Sequence, residues 1–442
     1  MAKQAKNNRN VAPFLLILAL SIGLSCLVSG TSQYAGSASE TGLRRVILFS
    51  LDSCNPEYFS AGYLPHLNEF IVSRGFKFKV ANTILSSETQ AGHTTMLTGA
   101  FPNSTGMFGN GLFFEDTGVD TGLVLDPAYR WVPTIFESLH VTNPGVTTAF
   151  VSGKWRLGPL LAEDADIVLT SPRSKIPIPR DYEALVGTPV TYMDGDLMDA
   201  WVFNALLQVI KKDDPNFVFV NLAQIDWVHH GTGAFNANMD RCLREVDALF
   251  ASFFEEMRFM GKLDSTLFVF TADHGHDTIR DTFHINEFLE ANNITAAMHV
   301  EGESAYLWLE NIGQKATLLS LLNADPKVAF AIGREDYALY NLDAPRNRTG
   351  DVFISCNEGV LIANLPHMNP TMTGSHGGIS ARDVPMGWVG PACGITRIGY
   401  DYEHAVPHIA DIVPTIYHLA NWTVPATIDG SDLTSLITGP AT

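Results

Sequence analysis

Three apolar runs in this chain each close on an acidic side chain. They are Val46-Ile47-Leu48-Phe49-Ser50-Leu51-Asp52, Phe217-Val218-Phe219-Val220-Asn221-Leu222 with Asp226 just beyond, and Leu267-Phe268-Val269-Phe270-Thr271 with Asp273-His274 just beyond. A run that is apolar at nearly every position reads as a strand buried on both faces, which is the habit of parallel sheets. A further strand is expected over 146–152, and helical patterns over 64–74, 131–140, 197–212 and 236–260 separate these runs. The alternation predicts an α/β fold, a mainly parallel central sheet with helices on both faces. Open sheets of this kind bind ligands at the carboxyl ends of their strands, where these aspartates and histidines stand.

The chain divides into unequal parts. Lys3, Lys6 and Arg9 precede 11–28, which carries no charge, and the next charged residue is Glu40. A basic start followed by an apolar run reads as a signal peptide or signal anchor over 1–30, with a linker over 31–43. Positive-inside logic then places the body, 44–435, outside the cytoplasm. Residues 290–370 break the alternation, with short strands expected over 305–309, 328–332 and 351–355 around one helix over 315–322. This stretch is expected to be a small α+β cap insert. A closing helix is expected over 408–422, interrupted by Pro414.

Composition removes some functions. A formal charge of −19 argues against a nucleic-acid surface, so an anionic substrate needs local help, most simply from metal cations. Beyond Cys26, the cysteines Cys54, Cys242, Cys356 and Cys393 form no C-x-x-C pair and point to no zinc knuckle. Sequons stand at Asn103, Asn293, Asn347 and Asn421, about as many as composition alone would supply.

The polar turn Ser86-Ser87-Glu88-Thr89-Gln90-Ala91-Gly92-His93 precedes a helix expected over 92–98. Taken alone, Thr89 reads as a helix cap. A helix start also offers unpaired N–H groups that suit a phosphate oxygen. The hydroxyl becomes a nucleophile only where a base or metal lowers its pKa. Candidate ligands are Asp52, Asp226 and His230 (four apart, one face of a helical turn), Asp273, His274, and His376 within Gly374-Ser375-His376-Gly377-Gly378. Each alone has an ordinary reading as cap, turn or ion pair. Together they form a carboxylate and imidazole set suited to zinc. Lys154 and Arg156 follow a strand end and would either meet an anionic group of a substrate or sit on a surface loop.

These pieces together resemble the alkaline phosphatase superfamily, in its type I phosphodiesterase/nucleotide pyrophosphatase branch. The resemblance rests on Asp52, Thr89, Gly92-His93, Thr98-Gly99, Asn110, Asp226-x-x-x-His230, Asp273-His274-Gly275, Gly374-Ser375-His376-Gly377, and the late Asp411-Ile412-Val413-Pro414-Thr415 with Asp429-Gly430. It implies a three-layer α/β/α sandwich and two zinc ions. Asp226, His230 and His376 would hold one; Asp52, Asp273, His274 and the Thr89 oxygen would hold the other. It further implies hydrolysis of a small phosphoester through a phosphothreonine on Thr89, with Asn110 donating to a phosphate oxygen. Gln90, Gly92 and Glu88 depart from the aromatic residue, asparagine and lysine usual in that branch, which argues against assuming a stacked nucleotide base. A phosphonate hydrolase, a phosphoethanolamine-type transferase and a non-catalytic binding protein on the same scaffold are the competing expectations. A sulfatase is disfavoured because Thr89 does not stand in a C-x-P-x-R type motif.

Overall fold

The computed structural model describes residues 42–170, 176–187, 191–192, 196–197, 199–364, 372–395, 401–402 and 405–438. The segment read as a signal peptide or anchor, 1–30, and nearly all of the linker over 31–43 lie outside the described residues. Among the described residues no helix is long and apolar enough to cross a membrane.

In chain order the framework comprises β1 (Arg45–Leu51), α1 (Pro65–Arg74), β2 (Phe76–Asn82), α2 (Thr89–Thr98), α3 (Ile135–Thr142), β3 (Thr148–Ser152), β4 (Ile167–Leu169), α4 (Asp199–Lys212), β5 (Phe217–Leu222), α5 (Gln224–Thr232), α6 (Ala237–Phe259) and β6 (Thr266–Thr271). Then come β7 (Ala296–Glu301), β8 (Ser304–Leu309), α7 (Lys315–Leu322), β9 (Val328–Gly333), β10 (Val352–Cys356), β11 (Asp383–Val389), β12 (Asp401–Tyr402) and α8 (Ile412–Leu419).

Among the described residues, eight strands form the central sheet in the order β12-β2-β11-β6-β1-β5-β3-β4. Its core, β6-β1-β5-β3-β4, is parallel throughout. Only β11 runs against its neighbours β6 and β2. The three apolar runs are thus the three adjacent central strands, and register explains why every position is apolar. Phe49 lies beside Phe270 and meets Phe203 of α4 and Phe250 and Phe253 of α6. Phe219, in register with Leu48, points to the other face, where it meets His93 of α2 and Phe150 of β3. Helices therefore cover both faces. Each such phenylalanine contributes about 1.5–3 kcal/mol by burial alone.

The insert holds a separate four-stranded antiparallel sheet, ordered β7-β8-β10-β9, with α7 packed on it. It has its own apolar core around Leu307, Leu318, Leu322 and Ile354. The closing helix differs from expectation. A short 3-10 turn, Ile409–Asp411, precedes α8, so Pro414 falls in the first turn of α8. A first-turn residue has no helical N–H bond to lose, and the proline interrupts nothing. The four cysteines of the body are free thiols.

Candidate active site

Helix α2 begins three residues earlier than its pattern suggested, with Thr89 as its first helical residue. Glu88 holds the cap position in extended conformation (φ −116°, ψ 149°), so Thr89 is not the cap. All ten residues of α2 are buried, with His93 against Phe219 of β5 and the helix packed on α8 and the turn before it. Gly92 permits this approach. A Cβ there would lie 2.7 Å from the Asp273 carbonyl oxygen. Gln90 N–H donates to Asn110 Oδ1 at 2.9 Å, which ties the Asn110 loop to the helix start.

Strand ends deliver the charged groups. Asp52 follows β1, Asp273 and His274 follow β6, and Asp226 sits in the first turn of α5 just past β5. The strands' parallel alignment brings these ends together. His376 arrives from the loop after Gly374–Ser375, which pairs with Asp277–Thr278. Two groups result, each with its ligand atoms within 4.8 Å of one another: Asp226 with His274 and His376, and Asp52 with Asp273 and His274. His230 stands beside the first group, its Nε2 3.4 Å from Asp226 Oδ1, on a side chain 28 % exposed. His274 is thus common to both groups, and His230 lies at the edge of the first.

Thr89 Oγ1 faces this cluster, 3.2 Å from His274 Nε2. Lys154 and Arg156 reach it too, with Lys154 Nζ at 3.1 Å and Arg156 Nη2 at 3.5 Å. Lys154 is not on a surface loop. It is wholly buried, and its ammonium bridges Asp52 Oδ1 (2.7 Å) and Asp226 Oδ2 (2.8 Å). Arg156 is half-buried and lines the cleft above the site.

Burial and like charge together lift the Asp52 carboxyl to about 7, with Asp273 the main charged neighbour and Lys154 opposing. Burial would raise Asp226 and Asp273 as well. Lys154 and His230 nevertheless hold Asp226 well below the usual range, and His274 and His93 do the same for Asp273. Burial pushes the His274 ring down to about 4. His376 goes the other way, to about 9, because the Glu88 carboxylate outweighs the cost of burial.

The residues present fit divalent cations. Three buried carboxylates face one ammonium, and Asp226 Oδ1 and Asp273 Oδ2 are buried without accepting a hydrogen bond. Buried oxygens without hydrogen bonds beside the unprotonated His274 ring suit a divalent cation.

Several further groups hold this site, of which Asn221 was not singled out by sequence pattern. Asn221 Nδ2 donates to Asp52 Oδ2 at 2.9 Å, and His93 lies 3.2 Å from Asp273 Oδ2 and 2.9 Å from Ser50 Oγ. A polar residue inside an otherwise apolar strand was the available signal for Asn221. His276, the extra histidine of the Asp273-His274-Gly275-His276 run, is buried, 2.5 Å from Ser53 Oγ and stacked on His229. From the insert, Glu301 Oε1 accepts from Gly111 N–H at 3.0 Å and from His299 Nε2 at 2.7 Å, and His299 Nδ1 meets Asp120 Oδ2 at 2.9 Å. A cleft of about 450 Å³ opens over the site, with Glu88, Asn110, Arg156 and Glu301 on its polar side and Leu123, Leu361, Ile362 and Met372 on its apolar side.

Known proteins resemble this chain in sequence and in fold. The chain is 23 % identical over 249 residues to mouse ectonucleotide pyrophosphatase/phosphodiesterase family member 3, covering 52 % of this chain and 25 % of the relative. It thus spans about a quarter of that relative's length. Among solved structures, human ectonucleotide pyrophosphatase/phosphodiesterase 5 superposes with a TM-score of 0.68 at 16 % identity, covering 89 % of this chain and all of that one. Phosphonoacetate hydrolase from Sinorhizobium meliloti in complex with phosphonoacetate superposes with a TM-score of 0.66 at 21 % identity, covering 81 % and 94 %. These likenesses show the alkaline-phosphatase-like fold. The family model described as type I phosphodiesterase / nucleotide pyrophosphatase matches residues 46–379, which include the Thr89 turn, the strand-end carboxylates and His376, and the chain belongs to that family.

Proposed function

We propose that the protein is a metal-dependent hydrolase of phosphoric esters, with Thr89 as nucleophile. One observation carries the reading: the only hydroxyl at the start of α2 lies within 3.5 Å of His274, Lys154 and Arg156, in a pocket walled by three buried carboxylates. Asp226, His376 and His230 would hold one zinc and Asp52, Asp273 and His274 another, with His274 near both sets. Bound there, such ions supply Lewis acidity and lower the pKa of an attacking oxygen.

The chain's own groups do the rest. Thr89 Oγ forms a bond to phosphorus as the bond to the leaving oxygen breaks, giving a phosphothreonine and a free alcohol. Water then attacks that phosphorus, and Thr89 departs as the leaving group. Asn110 Nδ2 carries two hydrogens, one given to Glu88, so one remains for a nonbridging phosphoryl oxygen. Lys154, held firmly protonated by Asp226 and Asp52 against its burial, donates to Thr89 Oγ and favours the alkoxide. Arg156 meets the phosphoryl group or a second anionic group of the substrate. The basic, apolar N-terminus supports an extracytoplasmic location for this chemistry, whether the segment is cleaved or retained as an anchor.

A phosphonate hydrolase is the second reading. Arg156 favours it, since a guanidinium in the cleft suits the extra carboxylate of a substrate such as phosphonoacetate. The test is turnover of p-nitrophenyl phosphate, bis-p-nitrophenyl phosphate, a thymidine phosphodiester and phosphonoacetate by purified wild type and Thr89→Ala. Ester turnover lost in the variant supports the reading; full activity in the variant ends it.

A further inference from the structure

Glu88 is a carboxylate at a cap position that does no capping. An N-cap carboxylate ordinarily accepts from the first-turn N–H groups. Here the Glu88 side chain makes no such bond. It turns instead into the site, almost fully buried, and Oε2 accepts a hydrogen from Asn110 Nδ2. The same Oε2 lies 3.4 Å from His376 Nδ1. Resting on the reading above, we propose that Glu88 is a positioning residue that orients the His376 ring and the Asn110 amide together.

His376 Nδ1 also lies 3.0 Å from the Ser87 carbonyl oxygen. Both of its neighbours on that side are acceptors, so the Nδ1 hydrogen is directed to them. Nε2, 3.9 Å from Asp226 Oδ1, is left to present its lone pair to the ligand cluster. Fixing the far nitrogen is how outer partners set the tautomer and angle of a ligating histidine. Asn110 is fixed by the same logic. Its Oδ1 accepts from Gln90 N–H and its Nδ2 donates to Glu88, so a flipped amide would set oxygen against carboxylate and N–H against N–H. One carboxylate therefore locks a metal ligand and a phosphate donor in mutual register. Space for it is provided by Gly377, where a Cβ would lie 2.8 Å from Glu88 Oε1 in a left-handed turn (φ +99°).

The test compares wild type, Glu88→Gln and Asn110→Ala by competitive chelator titration of zinc, with kcat and KM on bis-p-nitrophenyl phosphate measured beside it. A glutamine keeps the shape but removes the charge from Oε2, the one oxygen on which both Asn110 Nδ2 and His376 Nδ1 converge. Outer partners of metal ligands typically govern affinity by 10–100-fold. In Glu88→Gln one zinc equivalent is expected to weaken by about that factor while the other holds, and kcat falls. Asn110→Ala is expected to raise KM and lower kcat with both zinc affinities unchanged. Should Glu88→Gln fail to fold, Glu88→Asp, which withdraws the carboxylate by one methylene, is expected to weaken the same equivalent. Wild-type zinc affinities and kcat in the Glu88 variant would overturn the proposal while leaving the hydrolase reading intact. Equal weakening of both equivalents would also overturn it, as a general structural effect. A wild type that binds zinc but turns over no ester would end the hydrolase reading, and the chelator titration would still decide on Glu88. A wild type that binds no zinc ends both.

Discussion

The central cluster and the insert hairpin bury charge to a similar depth by different means. At the strand ends, Asp52, Asp226 and Asp273 face a single ammonium, leaving buried oxygens without hydrogen bonds. On β7, the His299 ring lies between Asp120 and Glu301, and Glu301 also takes a backbone N–H from Gly111. The hairpin is compensated within the protein, whereas the strand ends call for something from outside. This difference separates a region built to bind from a region built to hold, and each can be tested where the other should not respond.

The largest effect should come from Thr89→Ala, which removes the proposed attacking atom. Loss of a nucleophile that acts as part of a unit lowers kcat by roughly 10⁴ or more, about 5–6 kcal/mol in barrier. Steady-state kinetics should show this with the melting temperature held. Lys154→Met comes next. Without its ammonium, Asp52 and Asp226 become uncompensated buried charges, and breaking such a pair costs about 3–5 kcal/mol. Urea unfolding of chelator-treated protein should show that loss, and added zinc should recover most of it. If Lys154→Met is as stable as wild type under chelation, the contrast drawn above fails.

The hairpin gives a smaller, pH-dependent effect. Burial would lower the His299 pKa, yet Glu301 and Asp120 lift it to about 10, above the roughly 6.5 of an unfolded histidine. The folded state therefore binds this proton more tightly. The stability it provides is complete below about pH 6.5 and is lost as pH rises through about 10. Unfolding free energy should fall across that window by about 1–3 kcal/mol, the worth of charged hydrogen bonds. His299→Gln should flatten the fall, and chelator should leave it unchanged. Smallest is Arg156→Lys, which keeps the charge but loses the planar fork. A rise in KM of several-fold with little change in kcat is expected for a dianionic substrate.

Much of the fold could be read from the chain because β1, β5 and β6 are apolar at almost every position, and only two-sided burial produces that pattern. The strand-end aspartates followed directly. Lys154 did not, since a lysine beyond a strand end is ordinarily solvated. Its burial is set by the convergence of β1, β3 and the start of α5, which no local pattern records. The parts played by His299 and Glu301 were equally silent, because an alternating strand does not say which partner its inner face meets. Glu88 could be seen as a departure from its branch, but its role emerged only once His376 and Asn110 were placed beside it.

Gly92 has a wider consequence. With the backbone of α2 pressed against the Asp273 carbonyl, neither can shift toward the other, and Thr89 Oγ1 keeps its spacing from the groups that follow β6. The insert has a core of its own, yet its hairpin is seated as closely, for a Cβ on Gly302 would clash with the His376 carbonyl oxygen. Both close approaches are thus held by residues that have no side chain at all, and a substitution at either would have to displace backbone.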